Sequence, residues 1–256
     1  MIAPELRNKP FIHQLWRDGP PIMAVNEFGL LLPGKDALYS FEEDFDGARG
    51  TLLSAAGVTG WHEDADGSPT ALALTADGHM GVATMSPGGT ATNNVHYHWG
   101  LNTTVHEPIT MAVGKRLWLA ARFKIEDADK NLLIFGLHEA QDDPWATEPA
   151  DQFLFRVPAA DGVLQFAGGT ANNAENTITM GTLADDTWYR ALAFYDGGGT
   201  VRAWLWNDSG FLSEGRCDFG STILPDTPMS VAFGAEAVDT GTDVFSLDYL
   251  KVYAER

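Results

Sequence analysis

The stretch from Asp185 to Trp206 reads D-D-T-W-Y-R-A-L-A-F-Y-D-G-G-G-T-V-R-A-W-L-W. Trp188, Arg190, Leu192 and Phe194 alternate with Tyr189, Ala191, Ala193 and Tyr195, the period-2 pattern of a strand. Asp196-Gly197-Gly198-Gly199 supplies residues that tolerate the positive φ angles of a hairpin loop. The return strand sets Val201, Ala203 and Leu205 against Arg202, Trp204 and Trp206. Aromatic and β-branched residues on both faces predict strands that are covered on most sides. Outward from this hairpin, Leu117–Ile125 carries the strongest alternation, with Leu117, Leu119, Ala121, Phe123 and Ile125 on one face. Leu132–His138 is apolar on both faces, as in a central strand.

The hairpin resembles the W-x-x-x-A-x-x-Y-D-G-x-G-T-V-x-x-W/Y segment of laminin-G-like domains, within the concanavalin A-like lectin and glucanase group. The resemblance implies an all-β fold, an antiparallel β-sandwich of the concanavalin A-like jelly-roll type. Composition agrees: eight Trp, fourteen Phe and 27 Gly in 256 residues favour short strands between turns over helices. The formal net charge of −19 makes nucleic acid an unsuitable partner, because phosphate recognition needs clustered Lys and Arg. A single cysteine, Cys217, forbids an intrachain disulfide and reads as a small buried hydrophobe. No apolar run is long enough to span a bilayer and no secretory signal is visible, so synthesis in a cytosol is expected.

Residues 1–37 are expected to form an extended N-terminal arm and residues 38–256 the jelly-roll domain. Residues 1–40 hold five of the thirteen prolines, and their four acids balance their four bases. Residues 41–256 therefore carry 31 of the 35 acids and 12 of the 16 bases. Ile12, Leu15 and Trp16 are spaced for one or two helical turns after Pro10. The arm either folds back on its own domain or docks on a neighbouring subunit, and Trp16, Phe28 and Leu31 are its candidate interface residues. Within the domain the sequence predicts a short strand at 38–41, turns over 54–69, a hairpin over 71–85 and a strand at 95–99. It also predicts a loop over Gly168–Asn176 and closing strands at 229–233 and 244–253.

A narrower resemblance covers about residues 115–256. The layout F-G-L-H-E-A-Q-D-D-P-W-A-T-E-P-A-D-Q-F-L-F-R-V, then A-D-D-T-W-Y-R, P-D-T-P-M-S-V-A-F-G-A-E-A and F-S-L-D-Y-L-K-V-Y-A-E-R is similar to tailed-bacteriophage virion proteins with a laminin-G-like jelly roll. It implies a virion protein made in the host cytoplasm, with other virion subunits such as the major capsid protein, and its own copies, as partners.

Glucanases of this fold group place E-x-D-x-x-E on a central strand, so that two carboxylates meet one cleft roughly 5 Å apart. The nearest pattern here, Glu42, Asp44 and Asp46, opens the domain and reads as a solvated turn. The three acids, with Asp248 on the last strand, are the candidate ligands of a Ca²⁺ ion, which takes several oxygens. Otherwise no cofactor is expected. His96 and His98 share a strand face, and with His106 or Glu107 they have a donor set for Zn²⁺. They read more simply as surface or interface histidines, and His138-Glu139 carries the same ambiguity. Glycan binding would use loop aromatics, for which Trp61, Trp99 and Trp145 are the candidates. Trp118, Trp188, Trp204 and Trp206 read as core or sheet-face residues.

The sequence thus predicts a non-enzymatic structural protein of a tailed-phage virion, foremost a decoration or cement protein on the head exterior. The alternatives are a glycan-binding host-attachment module and, behind it, a polysaccharide-cleaving enzyme. No membrane partner is expected.

Overall fold

The computed structural model describes residues 23–25, 31–33, 38–43, 45, 60–67, 70–77, 80–101, 104–105, 109–139, 144–146, 148–170, 173–219, 224–240 and 243–255. Ahead of residue 38, β1 (Met23–Val25) and β2 (Leu31–Pro33) form an antiparallel pair. The helical turns expected around Trp16, and Phe28 itself, lie outside the described residues, whereas Leu31 sits opposite Val25.

The sandwich begins with β3 (Leu38–Glu43), β4 (Gly60–Asp66), β5 (Thr70–Asp77), β6 (Met80–Ser86), β7 (Asn94–Leu101) and β8 (Thr104–Val105). It continues through β9 (Leu117–Ile125), β10 (Asn131–His138), β11 (Asp151–Val157), β12 (Val163–Thr170) and β13 (Asn173–Thr182). It closes with β14 (Thr187–Tyr195), β15 (Thr200–Asn207), β16 (Gly210–Asp218), β17 (Ser230–Ala237) and β18 (Phe245–Glu255). One sheet has the order β13-β12-β11-β10-β17-β7-β4, with β8 also on β7. The other has the order β16-β15-β14-β9-β18-β6-β5, with β3 on β18. Every pairing is antiparallel. Among the described residues no helix is long and apolar enough to cross a membrane.

The β14–β15 hairpin forms as its sequence predicts. Tyr195 pairs with Val201 across the loop, and Asp196 Oδ1 accepts from the amides of Gly198 (2.6 Å) and Thr200 (3.0 Å). Gly197 and Gly199 take φ of 79° and 104°, the left-handed conformations that glycine adopts without a Cβ clash. Tyr189, Ala191, Ala193 and Tyr195 enter the core.

Between the sheets, aromatic rings pack from one strand to the next. Phe123 meets Phe135 at 4.6 Å between centroids, Phe135 meets Phe155 at 5.5 Å, and Trp61 meets Phe233 at 4.6 Å. Each such ring removes a large apolar area from water, and this burial is the main stabilising term of the fold.

Two sequence expectations need correction. Residues 60–66 are a strand rather than turns. Trp61 anchors it in the core, and Glu63 accepts a hydrogen bond from Tyr97 Oη at 2.8 Å, which with burial raises the Tyr97 pKa. Gly168–Asn176 is not a loop, because β12 and β13 run through most of it. Gly168 is there for close approach, since a Cβ would lie 2.3 Å from Phe219 Cζ. β16, a stretch for which no expectation was drawn, is an edge strand with alternating exposure. Its Cys217 is half-buried, and burial pushes the thiol up to about 12.

Candidate functional site

The outward face of the first sheet carries the polar chemistry. On β10, Leu133, Phe135 and Leu137 belong to the core, so Leu132, Ile134, Gly136 and His138 point outward by alternation. The same rule turns Gln152, Leu154 and Arg156 outward on β11, Ala232 and Gly234 on β17, His96 and His98 on β7, and His62 and Asp64 on β4.

Over β10 and β11 on this face is a cleft of about 260 Å³. Leu132, Ile134 and Leu154 line its apolar part. The segment after β10 supplies half-buried Trp145 between buried Pro144 and Pro149, together with Glu148. Glu148 Oε1 accepts from Gln152 Nε2 at 2.8 Å and from the Arg156 guanidinium. The network holds a carboxylate, an amide and a guanidinium beside an indole.

Beyond β10 the same face holds histidines. Gly234 lies opposite His96 across β17–β7, and a Cβ there would stand 2.6 Å from Val95 O and 3.0 Å from His96 Cα. The rings of His96 and His138 stack at 5.0 Å with their Nε2 atoms 2.9 Å apart. His96, His98 and His138 are all closed off from solvent. Burial, followed by the neighbouring imidazoles, holds His96 well below the ordinary imidazole value. His98 falls to about 4 through burial and then His62 and His138, and burial alone takes His138 to about 4. The reading of His96 and His98 as surface residues is therefore corrected: covering their face made them neutral interior groups.

The other predicted site residues scatter. Trp61 is 1 % exposed and packed between Phe45, Phe41 and Phe233, so it offers no face to a ligand. Trp99 is half-buried against the same core, 5.5 Å from Trp61. Of the three loop tryptophans, Trp145 alone lines the cleft. Glu42 pairs in register with Lys251 on β18, while Asp44 and Asp46 lie outside the described residues. Asp248 gives its carboxylate to the Arg122 guanidinium at 2.6 Å. Trp118, Trp188, Trp204 and Trp206 cover the outer face of the second sheet, where Arg122 stacks 4.4 Å over Trp188.

Glu148, Gln152 and Arg156 were not singled out from the sequence, and only Gln152 and Arg156 carried a signal. They alternate with Phe153 and Phe155, which marks them as one outward strand face.

No family profile matches the sequence, nor does any curated protein. Solved structures do match in fold. Arcelin-5, a lectin-like defence protein from Phaseolus vulgaris, is 7% identical with a TM-score of 0.55, over 86% of this chain and 99% of that one. An endo-1,3-β-glucanase from Streptomyces sioyaensis is 12% identical with a TM-score of 0.53, over 88% and 98%. The CBM2 module of the evolved Dit of Lactobacillus casei BL23 phage J-1 is 12% identical with a TM-score of 0.50, over 84% and 96%. The chain therefore has the lectin- and glucanase-like jelly-roll fold.

Proposed function

We propose that this chain is a non-enzymatic module of a tailed-phage virion that binds a host-surface glycan in the cleft beside Trp145. The observation that carries the reading is the pairing of the Trp145 indole with the Glu148–Gln152–Arg156 network across one cleft. An aromatic face receives the C–H face of a sugar ring, and planar polar groups receive its hydroxyls. The volume is near the lower end of small-molecule clefts, roughly 300 Å³, which suits one or two sugar rings. The fold likeness to a phage Dit CBM2 module supports the virion context. The outward positions of β10 and β11 carry neither Asp nor Glu, so these central strands lack the paired carboxylates of retaining hydrolysis. That favours binding over cleavage. A shallow site of this kind gains strength from many copies on one particle.

The test is titration of the full chain with polysaccharide from the host surface, followed by tryptophan fluorescence and calorimetry. Saturable binding that Glu148→Gln weakens is the expected result. Absence of binding to any surface polysaccharide of the host overturns the reading.

A second reading, decoration of the head exterior, is favoured by the split between a neutral arm and an acidic domain. Such an acidic surface suits a capsid exterior better than a DNA-facing one. Docking would then run through Trp16, Phe28 and Leu31 onto the major capsid protein. Co-sedimentation of the full chain with undecorated heads tests it, and failure to pellet with them removes it.

A further inference from the structure

The far end of the histidine-bearing face holds an arrangement that glycan binding does not use. His62 on β4 lies directly opposite His98 on β7, and Asp64 follows His62 at the i, i+2 position of the same face. Donor atoms of the three residues lie within 4.8 Å of one another. His62 Nε2 is 3.5 Å from Asp64 Oδ1, and His98 Nδ1 is 3.4 Å from Asp64 Oδ2. Donors bound at 2.0–2.2 Å to a tetrahedral ion stand about 3.3 Å apart. Each imidazole thus already stands at about that spacing from one oxygen of the Asp64 carboxylate, and a small carboxylate rotation would let a single oxygen serve both.

A second observation concerns His98 itself. It is 2% exposed, yet neither of its ring nitrogens makes a hydrogen bond among the described residues. Buried polar atoms nearly always have a hydrogen-bond partner, and this imidazole has none, with its Nδ1 facing the Asp64 carboxylate. The side chains of His62 and Asp64 are 16% and 26% exposed, which leaves an access path from solvent and room for water as a further ligand.

We propose that His62, Asp64 and His98 bind a divalent transition-metal ion of the Zn²⁺ class. Two imidazoles and one carboxylate suit Zn²⁺, Ni²⁺ or Cu²⁺, whereas Ca²⁺ and Mg²⁺ take oxygen donors. The ion would tie edge strand β4 to β7. The site is separate from the cleft on β10 and β11, so either assignment stands or falls without the other.

The test uses the full chain without a histidine tag, stripped with EDTA and dialysed. Calorimetric titration with Zn²⁺ should give one equivalent bound, with a rise in melting temperature. Co²⁺ in its place should give the visible absorption of a low-symmetry N/O site. His62→Gln and Asp64→Asn, both at partly exposed positions, should keep the fold by circular dichroism. Each should weaken Zn²⁺ binding by roughly tenfold or more, as loss of groups that hold a metal does. No Zn²⁺ binding by the wild-type chain overturns the proposal. Binding unchanged in the folded His62→Gln/Asp64→Asn double variant overturns it as well, because the ion then sits elsewhere.

Discussion

His96 donates a hydrogen bond to His138: their Nε2 atoms are 2.9 Å apart, and the Nδ1 of His138 is committed to the carbonyl oxygen of Glu139 at 2.5 Å. A carbonyl only accepts, so His138 carries its proton on Nδ1 and offers the Nε2 lone pair to His96. His96 is then protonated on Nε2, and its buried Nδ1 is a bare lone pair. The bond requires a neutral His138, whose Nε2 must keep its lone pair, and burial keeps His96 neutral as well.

That requirement sets a pH dependence. The folded pKa of His138 is about 4 against an ordinary 6.5, and that of His96 is also lowered. Between these values the unfolded chain binds protons that the folded chain does not. Stability therefore rises with pH through this window and is lost as pH falls from about 6.5 toward 4. For His138 the loss is of order a few kcal/mol at most. Urea unfolding in EDTA should show a lower midpoint at pH 5 than at pH 7.5, and equal midpoints would contradict the burial of these two histidines as neutral groups.

Glu255 closes the last strand onto Arg116. Its carboxylate accepts from the Arg116 amide (2.8 Å), Nε (3.0 Å) and Nη2 (2.5 Å), and these bonds lower its pKa. A lowered carboxylate contributes stability above its unfolded pKa and loses it as pH falls through the folded value. The pair is partly exposed, so Glu255→Gln should cost only about 1 kcal/mol at neutral pH. Denaturant titration at pH 7 measures it.

Asp151 fixes the approach to β17. Its buried carboxylate accepts from the amides of Asp226 (3.1 Å) and Thr227 (2.7 Å) and from the Thr227 hydroxyl. Asp151→Ala strands these donors, for an expected loss of about 2–4 kcal/mol. Asp151→Asn should lose less, because one amide oxygen still accepts.

Gly234→Ala should destabilise by about 1–3 kcal/mol, the cost of overpacking. The new methyl meets the backbone of Val95 and His96, which cannot rotate away. Histidine side-chain NMR should show the His96–His138 hydrogen bond broken in this variant.

Legibility in the sequence followed how locally each feature is determined. The β14–β15 hairpin and β9 could be read because alternation and turn glycines lie within a few residues of one another. β4 was hidden because W-H-E-D-A-D is too acidic to look like a strand. Its pairing with β7 and the burial of Trp61 decide it, and both come from distant residues. Gly168 looked like loop chemistry for the same reason, since Phe219 is what requires it. At the site, Trp145 was visible as a loop aromatic. Its polar partners depend on how residues 144–149 fold over β11, and the interior position of His96 and His98 depends on the cover over their face.

The proposed glycan site is the cleft on the outer face of the first sheet. The second sheet offers a rival surface in its half-buried tryptophans, Trp188, Trp204 and Trp206. The direct measurement compares Trp145→Ala with Trp204→Ala for binding to host-surface polysaccharide, with both variants checked for fold by circular dichroism. The prediction is that Trp145→Ala loses about 1–3 kcal/mol of binding, on the scale of removing an aromatic stacking platform, while Trp204→Ala binds as the parent does. Unchanged binding by Trp145→Ala with loss in Trp204→Ala would contradict the account and move the ligand to the opposite sheet.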